Sequence, residues 1–249
     1  MVGIIFAAGL GTRLKPLTDT MPKALVPING KPLLQWQVEK LREAGITDIV
    51  VNVHHFPDMI IDAIRKNDGW GCNISVSDER GQLLDTGGGL RKIINEKLSN
   101  KNAPVLACNV DILSNIDISA LIAAHDPNTL GTLVVSERET QRYLLFDEDN
   151  TLCGWTNIAT GEVKPLSISA KVGGFKKLAF SGMQILSPRI SEMMDKVVAE
   201  KGEKFSLIDL YLSLCDSQTL KAYVQINYHM MDVGKINQIE EARFFAEKL

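Results

Sequence analysis

The chain predicts an α/β fold: a doubly wound, Rossmann-like three-layer sandwich around a mixed, mostly parallel central sheet. Three observations lead there. The run Val2 to Ala8 is apolar without alternation, as suits a strand buried on both faces of a parallel sheet. Gly9 and Gly11 follow at once and let the chain turn sharply. Short apolar strands and longer helical patterns then alternate as far as Val76, which reads as β-α-β-α-β with right-handed crossovers.

The elements can be justified in order. Pro32 opens a helix carrying Leu34, Val38 and Leu41 on one face, and Gly45 stops it. Ile49 to Val53 is the second strand. Asp58 is expected to cap the next helix, with Ile60, Ile61 and Ile64 inward and Gly69 and Gly71 beyond its end. Ile74 to Val76 is the third strand. His54 and His55 are adjacent on extended chain and point to opposite faces, so they read as hydrogen-bonding residues rather than a chelating pair.

Asp85-Thr86-Gly87-Gly88-Gly89 opens a further helix, where free N–H groups and small residues would let a flat ring lie against the backbone. Strand Val105 to Cys108 ends in Asn109-Val110-Asp111, at the carboxyl edge where ligands of doubly wound sheets bind. Asp117 caps a helix with Ile118, Leu121 and Ile122. Strands are expected at Leu133 to Val135 and Tyr143 to Phe146, with a turn at Asp147 to Asn150.

Asn157 to Lys177 reads as a polar surface loop or a flap, and Lys171, Lys176 and Lys177 receive no role. In the strand Phe180 to Leu186, Gly182 stands where a side chain would obstruct a neighbour. Two amphipathic helices follow, with Met193 and Met194 as core filler. A strand from Ala222 to Ile226 then leads to Met231-Asp232-Val233-Gly234, and a helix carrying Ile236, Ile239, Ala242 and Ala246 closes the chain.

Composition narrows the function. The 249 residues are 45% hydrophobic with a net charge of −3, enough for one large domain and without the basic block of a nucleic-acid binder. No window approaches the roughly 20 apolar residues of a membrane span, and Met1 leads directly into a strand, so no membrane partner is expected and the location is read as cytoplasmic. Cys72, Cys108, Cys153 and Cys215 are scattered, as suits reduced structural thiols.

The opening turn is built for phosphate. Its backbone can approach a ligand closely, Arg13 supplies a planar fork, and Lys23 adds a point charge. Pro16, Pro22, Pro27 and Pro32 stiffen the loop that carries them. Neither common phosphate loop fits. There is no lysine at the Walker spacing, and the dinucleotide fingerprint fails at Leu14. That failure argues against a nicotinamide dehydrogenase.

What runs unbroken from Gly9 to Leu25 is G-x-G-T-R-L-x-P-L-T-x-x-x-P-K-x-L. This resembles the signature of the sugar-1-phosphate nucleotidyltransferases, most closely the N-acetylmuramate 1-phosphate uridylyltransferases. The likeness extends through the Asp85 to Gly89 cluster, the Phe180-Ser181-Gly182 strand and Asp232-Val233-Gly234. Molybdopterin-type transferases share only the opening Ala-Ala-Gly.

The resemblance implies a single domain over 1–249, with a nucleotide-binding half (1–129) and a sugar-binding half (130–249). It implies that Ala7, Ala8 and Gly9 contact base and ribose, that Gly11, Thr12 and Arg13 hold the triphosphate, and that Gly88 meets the base. Lys23 would hold the reacting phosphates. Thr86, Ser181 and Gly182 would line the sugar side, and Asp111 and Asp232 would bind Mg2+. Arg13, Lys23, Asp111 and Asp232 are then the expected catalytic set.

The implied partners are a nucleoside triphosphate, UTP being favoured, and a sugar 1-phosphate. Departures from the family pattern at Asp85, Val110, Met230-Met231 and Lys235-Ile236 bear on substrate choice. Mannose- or heptose-1-phosphate guanylyltransferase and choline-phosphate cytidylyltransferase are the alternatives, and a non-catalytic nucleotide-sugar sensor is the alternative from another class.

Overall fold

The computed structural model describes residues 1–98, 100 and 102–249. β1 (Val2–Phe6) leads through short 3-10 turns to a small hairpin, β2 (Pro27–Ile28) and β3 (Lys31–Pro32), and then to α1 (Leu33–Glu43). β4 (Asp48–Val53), α2 (Pro57–Lys66), β5 (Asn73–Asp78), α3 (Asp85–Glu96) and β6 (Val105–Asn109) follow. The chain continues through β7 (Ile112–Ser114), α4 (Ile118–Ala124), β8 (Gly131–Ser136), β9 (Arg142–Phe146), β10 (Leu152–Asn157) and β11 (Glu162–Lys164). It finishes with β12 (Lys176–Leu186), α5 (Ile190–Lys201), α6 (Leu207–Leu214), β13 (Leu220–Tyr223), β14 (Met230–Asp232) and α7 (Ile239–Ala246).

Among the described residues ten strands form the main sheet, in the order β11-β10-β9-β12-β6-β1-β4-β5, with β8 and then β13 branching from β12. β6, β1, β4 and β5 are parallel, as the β-α-β reading requires. β12 runs antiparallel to β6, so the sheet is mixed.

Period-two alternation in the central strands feeds two cores. Ile5, Val51, Leu106 and Cys108 pack under α1, α2, α4 and α7. Ile4, Phe6, Val50 and Ala107 pack under α3, α5 and α6. Each fully buried Ile or Leu contributes about 1.5–3 kcal/mol. The unalternating apolar run at the N-terminus is therefore the cause of the three layers.

Several local expectations are corrected. Asp58 does not cap α2: Phe56, at φ 50, precedes the helix, Pro57 occupies its first position, and the Asp58 carboxylate pairs with Arg80. Ile236 does not join the last helix, because it lies exposed in a 3-10 turn before α7 begins. The Ala222 to Ile226 strand ends early, at Tyr223. Part of Asn157 to Lys177 is ordered chain: β11 pairs with β10, and a 3-10 segment leads into β12. Asp117 does cap α4, accepting from the Ala120 amide at 2.9 Å.

One core residue carries an unmet polar group. Tyr211 is fully buried, its hydroxyl has no partner among the described residues, and burial drives its pKa far upward. A buried hydroxyl without a hydrogen bond costs about 1–3 kcal/mol. Tyr211→Phe should therefore leave stability unchanged or raise it by about 1 kcal/mol in urea unfolding. A loss of more than about 1 kcal/mol would mean that the hydroxyl has a partner after all.

Candidate active site

The cleft at the carboxyl edge of β1 and β6 has a volume of about 460 Å³. One wall is the whole Phe6 to Arg13 turn. Lys23, Asn109, Val110, Asp111 and Gly234 form another, and Leu83, Asp85, Thr86 and Lys204 complete the rim. Gly11 adopts φ +65, and a Cβ there would lie 2.8 Å from Thr18 Cγ2, so only glycine fits the turn. The Gly11 carbonyl accepts from the Leu14 amide and the Thr18 hydroxyl, each at 2.8 Å. The amides of Gly9, Leu10 and Gly11 make no hydrogen bond among the described residues, which leaves them for an anion.

Lys23 and Asp111 form an ion pair in the cleft wall, with Lys23 only 8% exposed. Asp232 joins them through the small β7–β14 ladder, where Asp232 faces Ile112 and the Val233 amide donates to the Asp111 carbonyl at 2.9 Å. Burial raises the Asp232 pKa, and the Asp111 charge raises it further; Lys23, Arg13 and Arg138 pull the other way. Arg13 comes close as well, since a Cβ on Gly234 would lie 2.9 Å from Arg13 Nη2 and 2.8 Å from Asp232 Oδ1. Two cations from the opening segment and two acids from remote strand ends thus converge.

The residues present fit a divalent cation. Asp232 Oδ1 is buried and has no hydrogen-bond partner among the described residues. Two carboxylates with substrate phosphates are the usual set for Mg2+. Among the described residues no cluster of three or more His, Cys, Asp or Glu side chains offers an all-protein metal cage.

Other expected site residues fall differently. Ala7, Ala8, Gly9, Gly11 and Thr12 line the cleft, but the Ala7 amide is already held by Asn52 Oδ1 at 2.7 Å, which leaves its carbonyl. Thr86 reaches the cleft, while its hydroxyl accepts from the Leu207 amide at 3.0 Å.

Gly88 lies outside the cleft lining. Its amide and that of Gly87 donate to the Phe205 carbonyl, at 3.2 and 2.9 Å, and a Cβ on Gly88 would lie 2.1 Å from the Glu203 carbonyl oxygen. The glycines thus admit the close approach of residues 203–205, and Gly88 lines a neighbouring cavity. Ser181 and Gly182 lie outside the cleft lining. Gly182 sits in a β12 bulge at φ +73, against Asn109 and Ile112, and the buried Ser181 hydroxyl has no hydrogen-bond partner among the described residues. His54 and His55 serve as expected, bonding the carbonyls of Glu79 at 2.7 Å and Thr18 at 3.1 Å.

The family model for the nucleotidyl transferases matches residues 2–248. The chain belongs to that family. It is an enzyme of the sugar-1-phosphate nucleotidyltransferase type. Among relatives of this nucleotidyl transferase, the N-acetylmuramate alpha-1-phosphate uridylyltransferase of Neisseria meningitidis is 32% identical, over 99% of this chain and 98% of the relative. A mannose-1-phosphate guanyltransferase of Kluyveromyces lactis is 29% identical over 94% of this chain, which spans 62% of that longer protein. The structure of a UDP-glucose pyrophosphorylase complexed with UDP-glucose superposes with a TM-score of 0.76, covering 100% of this chain and 99% of its own, at 20% identity. No helix among the described residues is long and apolar enough to cross a membrane.

A buried relay behind the nucleotidyl transferase cleft was not visible beforehand. Asn52 accepts from Ala7 and donates to Glu79 Oε1 at 2.8 Å, and Glu79 Oε2 accepts from the Leu84 amide at 3.2 Å. Glu79 is 1% exposed, and its burial raises its pKa above the ordinary 4.5 against the pull of Asn52 and Leu84. A carboxyl group raised in the fold favours the protonated native state, so stability drains away as pH rises above the unfolded value. The stability of Glu79→Gln relative to wild type should therefore improve as pH increases above 4.5. Parallel pH profiles in chemical denaturation would sink this account.

Proposed function

We propose that the enzyme condenses UTP with N-acetylmuramate 1-phosphate, or a closely related hexose or hexosamine 1-phosphate, to give a UDP-sugar and pyrophosphate. The observation that carries the reading is the meeting of Arg13, Lys23, Asp111 and Asp232 at the glycine turn. The near full-length likeness to the Neisseria uridylyltransferase supports the choice of base and sugar. In this reading residues 1–129 form the nucleotide-binding half and 130–249 the sugar-binding half of one domain. A reaction fed by UTP belongs with the cytoplasmic nucleotide pool, and its product with cell-wall sugar metabolism.

An oxygen of the sugar 1-phosphate attacks the α-phosphorus in line. The bond from that phosphorus to the bridging oxygen breaks, and pyrophosphate leaves with the electron pair. No general base is needed, because a phosphate monoester is already ionised near neutral pH. The free amides of the glycine turn and Arg13 hold the triphosphate and neutralise the leaving group. Lys23 positions the reacting phosphates and offsets charge that builds on them. Asp111 and Asp232 would hold Mg2+, which supplies Lewis acidity and a template for two anions.

A pyrophosphate-release screen crossing common nucleoside triphosphates with a panel of sugar 1-phosphates tests the substrates. UTP with N-acetylmuramate 1-phosphate should be fastest, and a clear preference for GTP with mannose 1-phosphate would overturn the assignment. Lys23→Ala and Asp111→Ala should each lower turnover by about 10²- to 10³-fold. Wild-type turnover in a folded Asp111→Ala enzyme would remove that residue from the chemistry.

A further inference from the structure

Arg138, in the connection between β8 and β9, carries a charge that the reaction as drawn leaves unused. Its Nη2 donates to the Phe180 carbonyl at 2.9 Å, which anchors the guanidinium beside the β12 bulge. No carboxylate lies within ion-pair distance of it among the described residues. The bulge it braces lies against the cleft wall: a Cβ on Gly182 would come 3.0 Å from the cleft-lining Asn109 and 3.0 Å from Ile112, the residue that faces Asp232. Ser181, the residue after Phe180, adds a buried hydroxyl that meets no hydrogen-bond partner among the described residues.

The two substrates are both anions, and each needs its own countercharge if the nucleophile is to approach the triphosphate. On the turn side Arg13 and the free amides serve the triphosphate. Lys23 is already paired with Asp111. On the β12 side the cation is Arg138, held at the carbonyl of Phe180, the residue before Ser181. A guanidinium with one N–H fixed on a carbonyl still presents a planar edge that matches two phosphate oxygens.

We propose that Arg138 holds the phosphate of the sugar 1-phosphate and so sets the line of attack, while Arg13 and the free amides serve the triphosphate. This inference rests on the transferase reading and deepens it. A purely structural role, bracing the Phe180 carbonyl, would disturb both substrates alike or only the melting temperature.

Steady-state kinetics of Arg138→Ala separate the two. The KM for N-acetylmuramate 1-phosphate, or for whichever sugar 1-phosphate the screen selects, should rise about 10- to 100-fold, with the KM for UTP within about twofold of wild type. Arg138→Lys should recover part of the loss, since it keeps the charge but not the fork. Equal changes in both KM values, or none, would overturn the proposal. A second measurement needs no turnover: calorimetric titration of glucose 1-phosphate and N-acetylmuramate 1-phosphate into enzyme saturated with a non-hydrolysable UTP analogue. Affinity lost in Arg138→Ala supports the placement even if the wild type releases no pyrophosphate, a result that would instead refute the transferase chemistry. Identical titrations for variant and wild type refute the placement itself.

Discussion

Two carboxylates, Asp111 and Asp232, held close together beside the sheet edge set the terms for everything around them. Burial raises the Asp232 pKa, and the like charge of Asp111 raises it further. Asp111 and Asp232 endure this because the β7–β14 ladder and the Val233 amide tie their backbones together, and because Lys23, Arg13 and Arg138 surround them. The rest of the fold can be read as the frame that brings strand ends far apart in sequence to that one place.

Much of that frame is legible in the amino-acid order. The unbroken apolar run of β1 foretells burial on both faces, and both faces are indeed covered, by α1 with α2 on one side and α3 with α5 on the other. Gly11, Arg13 and Lys23 are legible because the turn needs a positive φ and the loop around it concentrates cations. Asp111 follows from position alone, since it stands just beyond the β6 strand end. Asp232 could be linked to it only through the resemblance, because a three-residue ladder between β7 and β14 leaves almost no pattern in a chain.

What escaped reading depends on contacts between distant segments. Nothing local to Gly87 and Gly88 reveals that the Phe205 carbonyl takes their amides. A glycine-rich helix start looks the same whether a ligand or another part of the chain approaches it. Asn52 and Glu79 read as an ordinary strand residue and a loop acid, yet they brace Ala7 and Leu84 from behind. Arg138 sits in a polar stretch with no motif, and only the register of β12 against β8 and β9 brings it beside Phe180. Sequence periodicity reports which face an element buries, not which residue of another element meets it.

The occupied glycines bear on how such an enzyme chooses its base. With the Gly87 and Gly88 amides engaged by Phe205, the cleft wall away from Lys23 and Asp111 is left to Leu83, Asp85, Thr86 and Lys204. Asp85 takes φ 62, and its Oδ1 already accepts from the Thr86 amide at 2.6 Å, while Lys204 is exposed. One acid and one base on rim segments can match a hydrogen-bonding edge, and either can change without disturbing a strand. The phosphate end has no such freedom, because its charges hang from strand ends and from the opening turn. In the proposed reading chemistry is tied to the sheet and base choice to the rim. That division gives a physical reason why relatives named for different nucleotides retain one fold.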